Sequence, residues 1–164
     1  MVEGWMPDHC MPAVREEFLR GQYKLLMATG GPIAQGTQLA AYKTEPDLTK
    51  AILVGIGMDP EVIVAVPSSG ATRDRTYAAA LVLSRWMSDH HVSADRVNLI
   101  SRSAHARRSW LLFQMAFGDK SDVGIIALPE PDYDSSHWWR TSVGFRDVVD
   151  ETVAYVYARF LFHP

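Results

Sequence analysis

Four short apolar segments, separated by stretches with helical spacing, constrain the fold of this chain more than any other feature. They read KLLMAT, VIVAV, VNLIS and VGIIAL, and their apolar residues follow one another instead of alternating with polar ones. Strands of this kind are covered on both faces, as in a parallel sheet flanked by helices. The four predicted strands are Lys24–Thr29, Val62–Val66, Val97–Ser101 and Val123–Leu128.

The segments between the strands carry apolar residues three and four positions apart, which predicts amphipathic helices. The predicted helices are Asp8–Arg20, Thr44–Ile56, Asp74–Met87, Ser103–Phe117 and a last one from Trp138 or Val143 to Leu161. In the last helix we expect four apolar residues to be buried: Val149, Val153, Val156 and Phe160.

The alternation of strand and helix predicts right-handed βαβ units and therefore an α/β fold. We expect a Rossmann-like, doubly wound three-layer sandwich with a mainly parallel sheet of about five strands. The fifth strand is Val2–Gly4, which we expect to be the end of a strand whose first residues are missing. At 164 residues the chain is predicted to form a single domain, 1–164.

Composition excludes several classes of protein. There are 16 Lys+Arg against 19 Asp+Glu, a net charge of −3, which argues against a broadly cationic nucleic-acid binder. No apolar run reaches the roughly 18 residues of a transmembrane helix, so we expect no membrane span in this chain. Cys10 is the single cysteine, so neither an internal disulfide nor a cysteine-based metal site is expected. Localisation stays open: cytoplasmic as given, or in the envelope if an upstream anchor was removed.

The ends of the predicted strands point to the functional site, because open parallel sheets bind ligands at the carboxyl edge. We expect His105 and Glu3 to be catalytic, since an imidazole titrates near neutral pH and a carboxylate can oppose it. The remaining candidates are hydroxyl, glycine and arginine residues that would bind a ligand: Thr29, Gly30, Gly31, Ser69, Arg75, Thr76, Ser101, Ser103 and Arg108.

The segment Ser101–Arg108 is the most informative of these strand ends. Ser103 is expected to cap the next helix, whose first amide groups carry partial positive charge. Imidazole and guanidinium groups around a helix N-terminus favour a bound anion, so we predict an anion site here. The alternative is that Ser103 only caps the helix, while Arg107 and Arg108 only pair with acids at the surface.

Several familiar motifs are absent from the sequence. Gly30 and Gly31 belong to neither a GxGxxG nor a GxxxxGK[ST] pattern, which disfavours a dinucleotide fingerprint and a P-loop hydrolase. No GxSxG turn is present, so a serine hydrolase is disfavoured as well. Glu130, Asp132 and Asp134 are interleaved with Pro131 and Tyr133, which favours a solvated loop over a magnesium site. We therefore name no metal-binding residues, and metal dependence stays open.

Four segments at the predicted strand ends and helix starts are Ala28–Pro32, Thr44–Glu45, Arg75–Tyr77 and Ser101–Arg108. In this order they resemble the bacterial family of unknown function that contains YdcF, SanA and ElyC, and the likeness runs from Val2 to about Phe160. The last segment is similar to the family's Thr-Ser-x-x-His-x-x-Arg pattern, which places His105 and Arg108 on its histidine and arginine. Glu151 is similar to the acid in the family's final helix.

The resemblance implies a Rossmann-like fold with a pocket at the predicted edge. It also implies a role in cell-envelope biogenesis, membrane anchoring in several members, and S-adenosylmethionine as a ligand. It supplies no reaction. The family often has Asn-Thr-x-Glu-Asn where this chain has Arg75 to Ala79, so substrate preference is expected to differ.

Our leading hypothesis is an enzyme-like domain that binds a phosphorylated or otherwise anionic small molecule, such as an envelope precursor. Whether it is an enzyme stays open, with a hydrolase or a transferase as the candidate activities. Arg75, Arg108 and the helix start after Ser103 would bind the anion, while His105 acts as general acid or base. Glu3 would be the opposing base or a cation ligand. The alternative is a non-catalytic module that binds S-adenosylmethionine or a protein partner, and a third interpretation is a structural scaffold. Oligomeric state is not predicted.

Overall fold

A five-stranded parallel sheet forms the centre of the computed structural model, which describes residues 1–34, 39–68 and 73–164. The strands are β1 (Val2–Glu3), β2 (Leu26–Gly30), β3 (Ile63–Pro67), β4 (Arg96–Arg102) and β5 (Asp122–Leu128). Their order is β3-β2-β1-β4-β5, and every pair is parallel. The predicted strands are confirmed, with each boundary within two residues of the predicted one.

Five α-helices connect and cover the strands. They are α1 (Met11–Arg20), α2 (Glu45–Gly55), α3 (Arg75–Asp89), α4 (His105–Phe117) and α5 (Ser142–Phe160). Short 3₁₀ turns precede α1, β3, β5 and α5. The α/β, Rossmann-like three-layer architecture expected from the sequence is therefore confirmed.

Neighbouring residues of β2 show why both faces of the sheet need helices. Leu26 and Ala28 belong to a buried cluster with residues of α1 and α2, whereas Met27 belongs to another with residues of α3 and α4. Successive side chains of a strand point to opposite faces, so a continuous apolar run fills two cores. β1 lies at the centre, where Val2 pairs with both Ala28 and Ile100.

The expected burial of the last helix is wrong for three of its four residues. Val153, Val156 and Phe160 are 65%, 47% and 68% exposed. α5 packs on α4 through its opposite side, where Ala158 joins a small buried cluster. The segment has apolar residues on more than one side, so periodicity did not identify the face that packs. A small side chain such as alanine allows closer helix approach than valine or phenylalanine.

Gly4 connects the central strand to α2 by close backbone packing. Its amide donates to the Thr29 carbonyl at 2.7 Å, and its own carbonyl accepts from the Thr49 hydroxyl at 3.0 Å. A Cβ at Gly4 would lie 2.9 Å from the Glu45 carbonyl carbon and 3.0 Å from the Pro46 nitrogen. These are backbone atoms, so a larger residue at Gly4 would displace the start of α2.

We expect Gly4→Ala to lower the free energy of unfolding by about 1–3 kcal/mol, the usual cost of overpacking. Chemical denaturation followed by circular dichroism measures the change. Gly55→Ala is the matched control, because a Cβ there meets nothing within 4 Å and alanine favours the helix. Equal stability of the two variants would contradict the packing argument.

Candidate functional site

A cavity of about 950 Å³ lies at the carboxyl edge of the sheet. This volume is at the upper end of the range of about 300–1,000 Å³ typical of small-molecule sites. Eight of the predicted site residues line it: Glu3, Thr29, Gly30, Gly31, Arg75, Thr76, His105 and Arg108. Ser101 and Ser103 are not among the lining residues, and Ser69 lies outside the residues that the structure describes.

His105 is held between two carboxylates that come from different elements of the fold. As the first residue of α4, it places Nδ1 2.8 Å from Glu151 Oε1 on α5. Its Nε2 lies 3.6 Å from Oε1 of Glu3, at the end of β1. Nε2 has no hydrogen-bond partner among the described residues and is closed off from solvent.

The two carboxylates determine the charge of His105. Burial by itself lowers the pKa of the imidazole, but the hydrogen bond to Glu151 and the nearby carboxylates of Glu151 and Glu3 outweigh burial and raise that pKa to about 9. Burial acts to raise the pKa of Glu151, yet His105 and Arg108 lower it to about 2. At neutral pH the imidazole is therefore a cation between two anions.

Glu3 is almost completely buried, with 3% of its surface exposed. Burial acts to raise its pKa, but His105 and the Ser101 hydroxyl reverse that effect and the net shift is downward. Ser101 Oγ donates to Oε2 of Glu3, and Ser109 Oγ donates to Oε1 at 3.0 Å. Ser101 therefore positions Glu3 instead of lining the cavity. A carboxylate with a lowered pKa is better suited to act as a counter-ion of His105 than as a proton acceptor.

Glu151 also binds Arg108, which is the expected anion-binding arginine. Arg108 Nε lies 2.8 Å from Oε2 and Nη2 lies 3.0 Å from Oε1, a two-point ion pair. Nη2 lies 2.9 Å from His105 Nδ1 as well. Because Arg108 Nη2 and His105 Nδ1 both donate to Glu151, neither accepts from the other. The two nitrogens lie close together because the two cations share one carboxylate. The charges of Glu3, Glu151, His105 and Arg108 balance.

The expected cap at Ser103 is wrong. α4 begins at His105, its N-cap is Ala104, and no side chain caps it. Ser103 has a φ of 45°, and its hydroxyl lies 2.8 Å from the Tyr133 hydroxyl. Tyr133 donates to Asp147 Oδ2 at 2.5 Å, so Ser103 is the donor to Tyr133. This chain of hydroxyls links the turn before α4 to the first half of α5.

The Gly30–Gly31 turn binds a carboxylate of the protein itself. The Gly31 amide donates to Glu45 Oε2 at 3.2 Å, and burial raises the pKa of this carboxyl. Thr29 is also occupied, because its hydroxyl donates to the Ala79 carbonyl at 3.3 Å. The amide that we expected to bind a ligand therefore binds a carboxylate of the first turn of α2.

Arg75 differs from Arg108 in its electrostatic surroundings: its charge opposes the effect of burial on the pKa of Glu45. Arg75 is exposed, lines the cavity at the start of α3, and forms no ion pair with any residue that the structure describes. Asp74, the N-cap of α3, makes no side-chain hydrogen bond to the helix. Arg75 and Asp74 therefore bring opposite charges to the cavity wall, and the first turn of α3 has no side-chain cap.

Trp5 and Arg102 also line the cavity, next to His105. The Trp5 ring meets the His105 ring edge-on at a centroid distance of 4.6 Å, and the Arg102 guanidinium lies 5.8 Å from the Trp5 centroid. Arg102 Nε is 3.1 Å from Oε2 of Glu130, whose side chain is 3% exposed. The interpretation as a solvated loop is therefore wrong for the Glu130 side chain, whereas Asp132 and Asp134 are exposed. Within the described ranges, no three His, Cys, Asp or Glu side chains are arranged to hold a metal.

Sequence reasoning missed Ser109 and assigned no contacts to Glu45 and Glu151, which also shape the site. Ser109 follows His105 by four positions, a helical spacing that places both on one face of α4. Glu45 opens a predicted helix beside the Gly30–Gly31 turn. Glu151 was identified through the family resemblance but not as a partner of His105, because no local pattern joins positions 46 residues apart.

Comparison with known proteins identified no relative: no family model matches the chain, and neither the curated proteins nor the solved structures contain a significant match. Among the described residues, no helix combines the length and the apolar character needed to cross a bilayer.

We expect an imidazole NMR titration to give His105 a pKa of about 9, and Glu151→Gln to lower that pKa toward the ordinary 6.5. The reason is that the variant removes one of the two anions that stabilise the imidazolium. Asp150→Asn, an exposed neighbour on α5, is the control and should leave the pKa unchanged.

The same shift has a defined effect on stability. A folded-state pKa above the ordinary value stabilises the fold below about pH 6.5, and this contribution is lost as pH rises through about 9. A wild-type pKa near 6.5 would contradict the arrangement described here.

Proposed function

We propose that this protein is an enzyme that hydrolyses a phosphate monoester of a small molecule, with His105 as general acid. The observation that carries the proposal is the imidazolium in the wall of the cavity, held between Glu3 and Glu151. An acid with a pKa of about 9 is protonated at neutral pH and so is ready to donate. Glu151 would hold Nδ1, and Nε2, which is closed off from solvent and faces Glu3, would have to turn toward the substrate to donate its proton.

Arg75 and the first turn of α3 would bind the phosphoryl group. An arginine binds phosphate through two parallel hydrogen bonds, and the amides of a helix start add further donors. Arg108 supports this role less well than Arg75, since Glu151 already occupies Nε and Nη2. Arg108 would act as a positioning residue that keeps Glu151 ionised and in place.

The proposed reaction is balanced in atoms and charge. Water attacks phosphorus, the bond between phosphorus and the bridging ester oxygen breaks, and His105 Nε2 gives its proton to that oxygen. The products are an alcohol and hydrogen phosphate. One proton of the attacking water stays on the phosphate, and the other restores the imidazolium. In most descriptions phosphoryl transfer relies on positioning and charge stabilisation, so a strong base is not required.

The biological setting is part of the same proposal. The motif resemblance to the YdcF, SanA and ElyC family favours a substrate of cell-envelope biogenesis. Two observations support this setting. The segment with His105 and Arg108 carries the resemblance, and the fold brings Glu151 into contact with both residues although it is distant from them in sequence.

A second candidate is a non-catalytic module that binds a ligand such as S-adenosylmethionine. It is favoured by one specific observation: His105 Nε2 is closed off from solvent and faces Glu3. An imidazolium that serves only as a counter-ion would hold α5 on the sheet edge and shape the cavity without any reaction. Ligand-induced thermal stabilisation without turnover would support this candidate.

We expect phosphate release from a panel of phosphate monoesters and nucleotides, and His105→Gln should lower kcat by about 10²–10⁴-fold. Arg75→Ala should raise the Kd or KM by about 10–100-fold, because it removes a charge-assisted contact worth about 1.5–3 kcal/mol. Arg73→Ala is the matched control, since Arg73 is exposed but does not line the cavity.

Circular dichroism and thermal melts would establish that each variant is folded before the rates are compared. Turnover that is equal in wild type and a folded His105→Gln would refute general-acid catalysis. Equal affinity of Arg75→Ala and Arg73→Ala would refute the anion site.

A further inference from the structure

One side of the cavity is apolar, and the proposed reaction makes no use of it. The residues on this side come from α3, α4, α5 and the segment after α5: Ala79, Leu112, Phe113, Ala154, Tyr157, Ala158 and Phe162. Ligand pockets are commonly lined by apolar and aromatic side chains, with a few polar groups that orient the ligand. An inorganic phosphate ion would leave this side empty.

The lining changes from charged to apolar along two helices that run in the same direction. On α4, His105 and Arg108 are followed by Leu112, seven residues or about 10 Å beyond His105 along the helix. On α5, Glu151 bonds to the first turn of α4, whereas Ala158 packs in a cluster with Leu112. A ligand bound at the charged end therefore has apolar surface beside it.

Tyr157 and Phe162 are among the aromatic residues that line the apolar side, and the Tyr77 ring packs against Phe162. The Phe162 ring meets the Tyr77 ring edge-on at a centroid distance of 5.2 Å, and its centroid lies 6.3 Å from that of Tyr157. The Phe162 amide donates to the Tyr157 carbonyl at 2.9 Å, which holds this residue against the end of α5. Tyr157 lines the cavity and is 47% exposed, so it has apolar surface that a ligand can cover.

The lining also includes three alanines, whose side chains are small. Ala154 and Ala158 are four residues apart on α5, and Ala79 lies on α3. Side chains of this size line a cavity without filling it. Offset or edge-on contacts between aromatic rings are favourable beyond the area they bury, so rings discriminate in favour of another ring.

We propose that the ligand of this cavity is a phosphate monoester that carries an aromatic ring, and that the ring packs against Tyr157 and Phe162. The phosphoryl group lies near Arg75 and His105, and the ring lies on the apolar side. Phe162 and Tyr157 are specificity-determining residues. This inference rests on the proposed function, because it names the substrate class of the same site.

Calorimetric titration with two phosphonates tests the inference without turnover, because the carbon–phosphorus bond is not an ester. Methylphosphonate carries the anionic group alone, and naphthylmethylphosphonate adds an aromatic ring. We expect wild type to bind the naphthyl compound at least about tenfold more tightly. Phe162→Ala should remove this preference while binding of methylphosphonate persists.

Phe160→Ala is the matched control, because Phe160 is 68% exposed and does not line the cavity. It should keep the full preference for the naphthyl compound. Tyr157→Leu provides a second variant if Phe162→Ala does not fold, and it should reduce the preference in the same way.

The outcomes separate this inference from the proposed function. Equal affinity of wild type for the two phosphonates, or an unchanged preference in both variants, would overturn the aromatic subsite and leave the anion site intact. A third compound, uncharged naphthylmethanol, tests the apolar side alone. If it binds, if its binding is lost in Phe162→Ala, and if methylphosphonate does not bind, the apolar subsite is supported and the anion site is overturned. Binding of none of the three compounds would overturn both.

Discussion

The positive charge of His105 between Glu3 and Glu151 is the interaction on which the site depends. It joins the centre of the sheet, the start of α4 and the middle of α5 through one buried imidazole. Taking one of these groups away would leave the others as uncompensated buried charges, which is strongly unfavourable. The two carboxylates therefore set the protonation state of the histidine, and the histidine keeps both carboxylates ionised.

The position of α5 follows from the same contacts. Glu151 holds the middle of α5 in place through its ion pair with Arg108. Nearer the end of the helix, Ala158 packs closely against Leu111 and Leu112. An ion pair and a small residue therefore determine which side of α5 packs on α4. One consequence is a cavity with a charged end and an apolar side. The other is that Val153 and Phe160 face outward.

The sheet and the edge that carries the site could be predicted because both depend on local patterns. Continuous apolar runs require helices on both faces, and β2 shows this directly through Leu26 and Met27. The carboxyl-edge rule then places His105 and Glu3 on one wall without any motif. The pairing of Glu151 with His105 could not be predicted from patterning, because it depends on how α5 docks.

The amino-acid sequence by itself determined the order of strands and helices to within a few residues, the parallel sheet and the edge at which polar residues gather, because these follow from side-chain periodicity and chain connectivity. Only the tertiary structure decided which charges are used within the protein. Arg108 is bound by Glu151, the Gly31 amide is bound by Glu45, and Arg75 forms no ion pair within the described ranges. The reason is physical: a charge acquires its role from the groups within a few ångströms, and those come from distant parts of the chain.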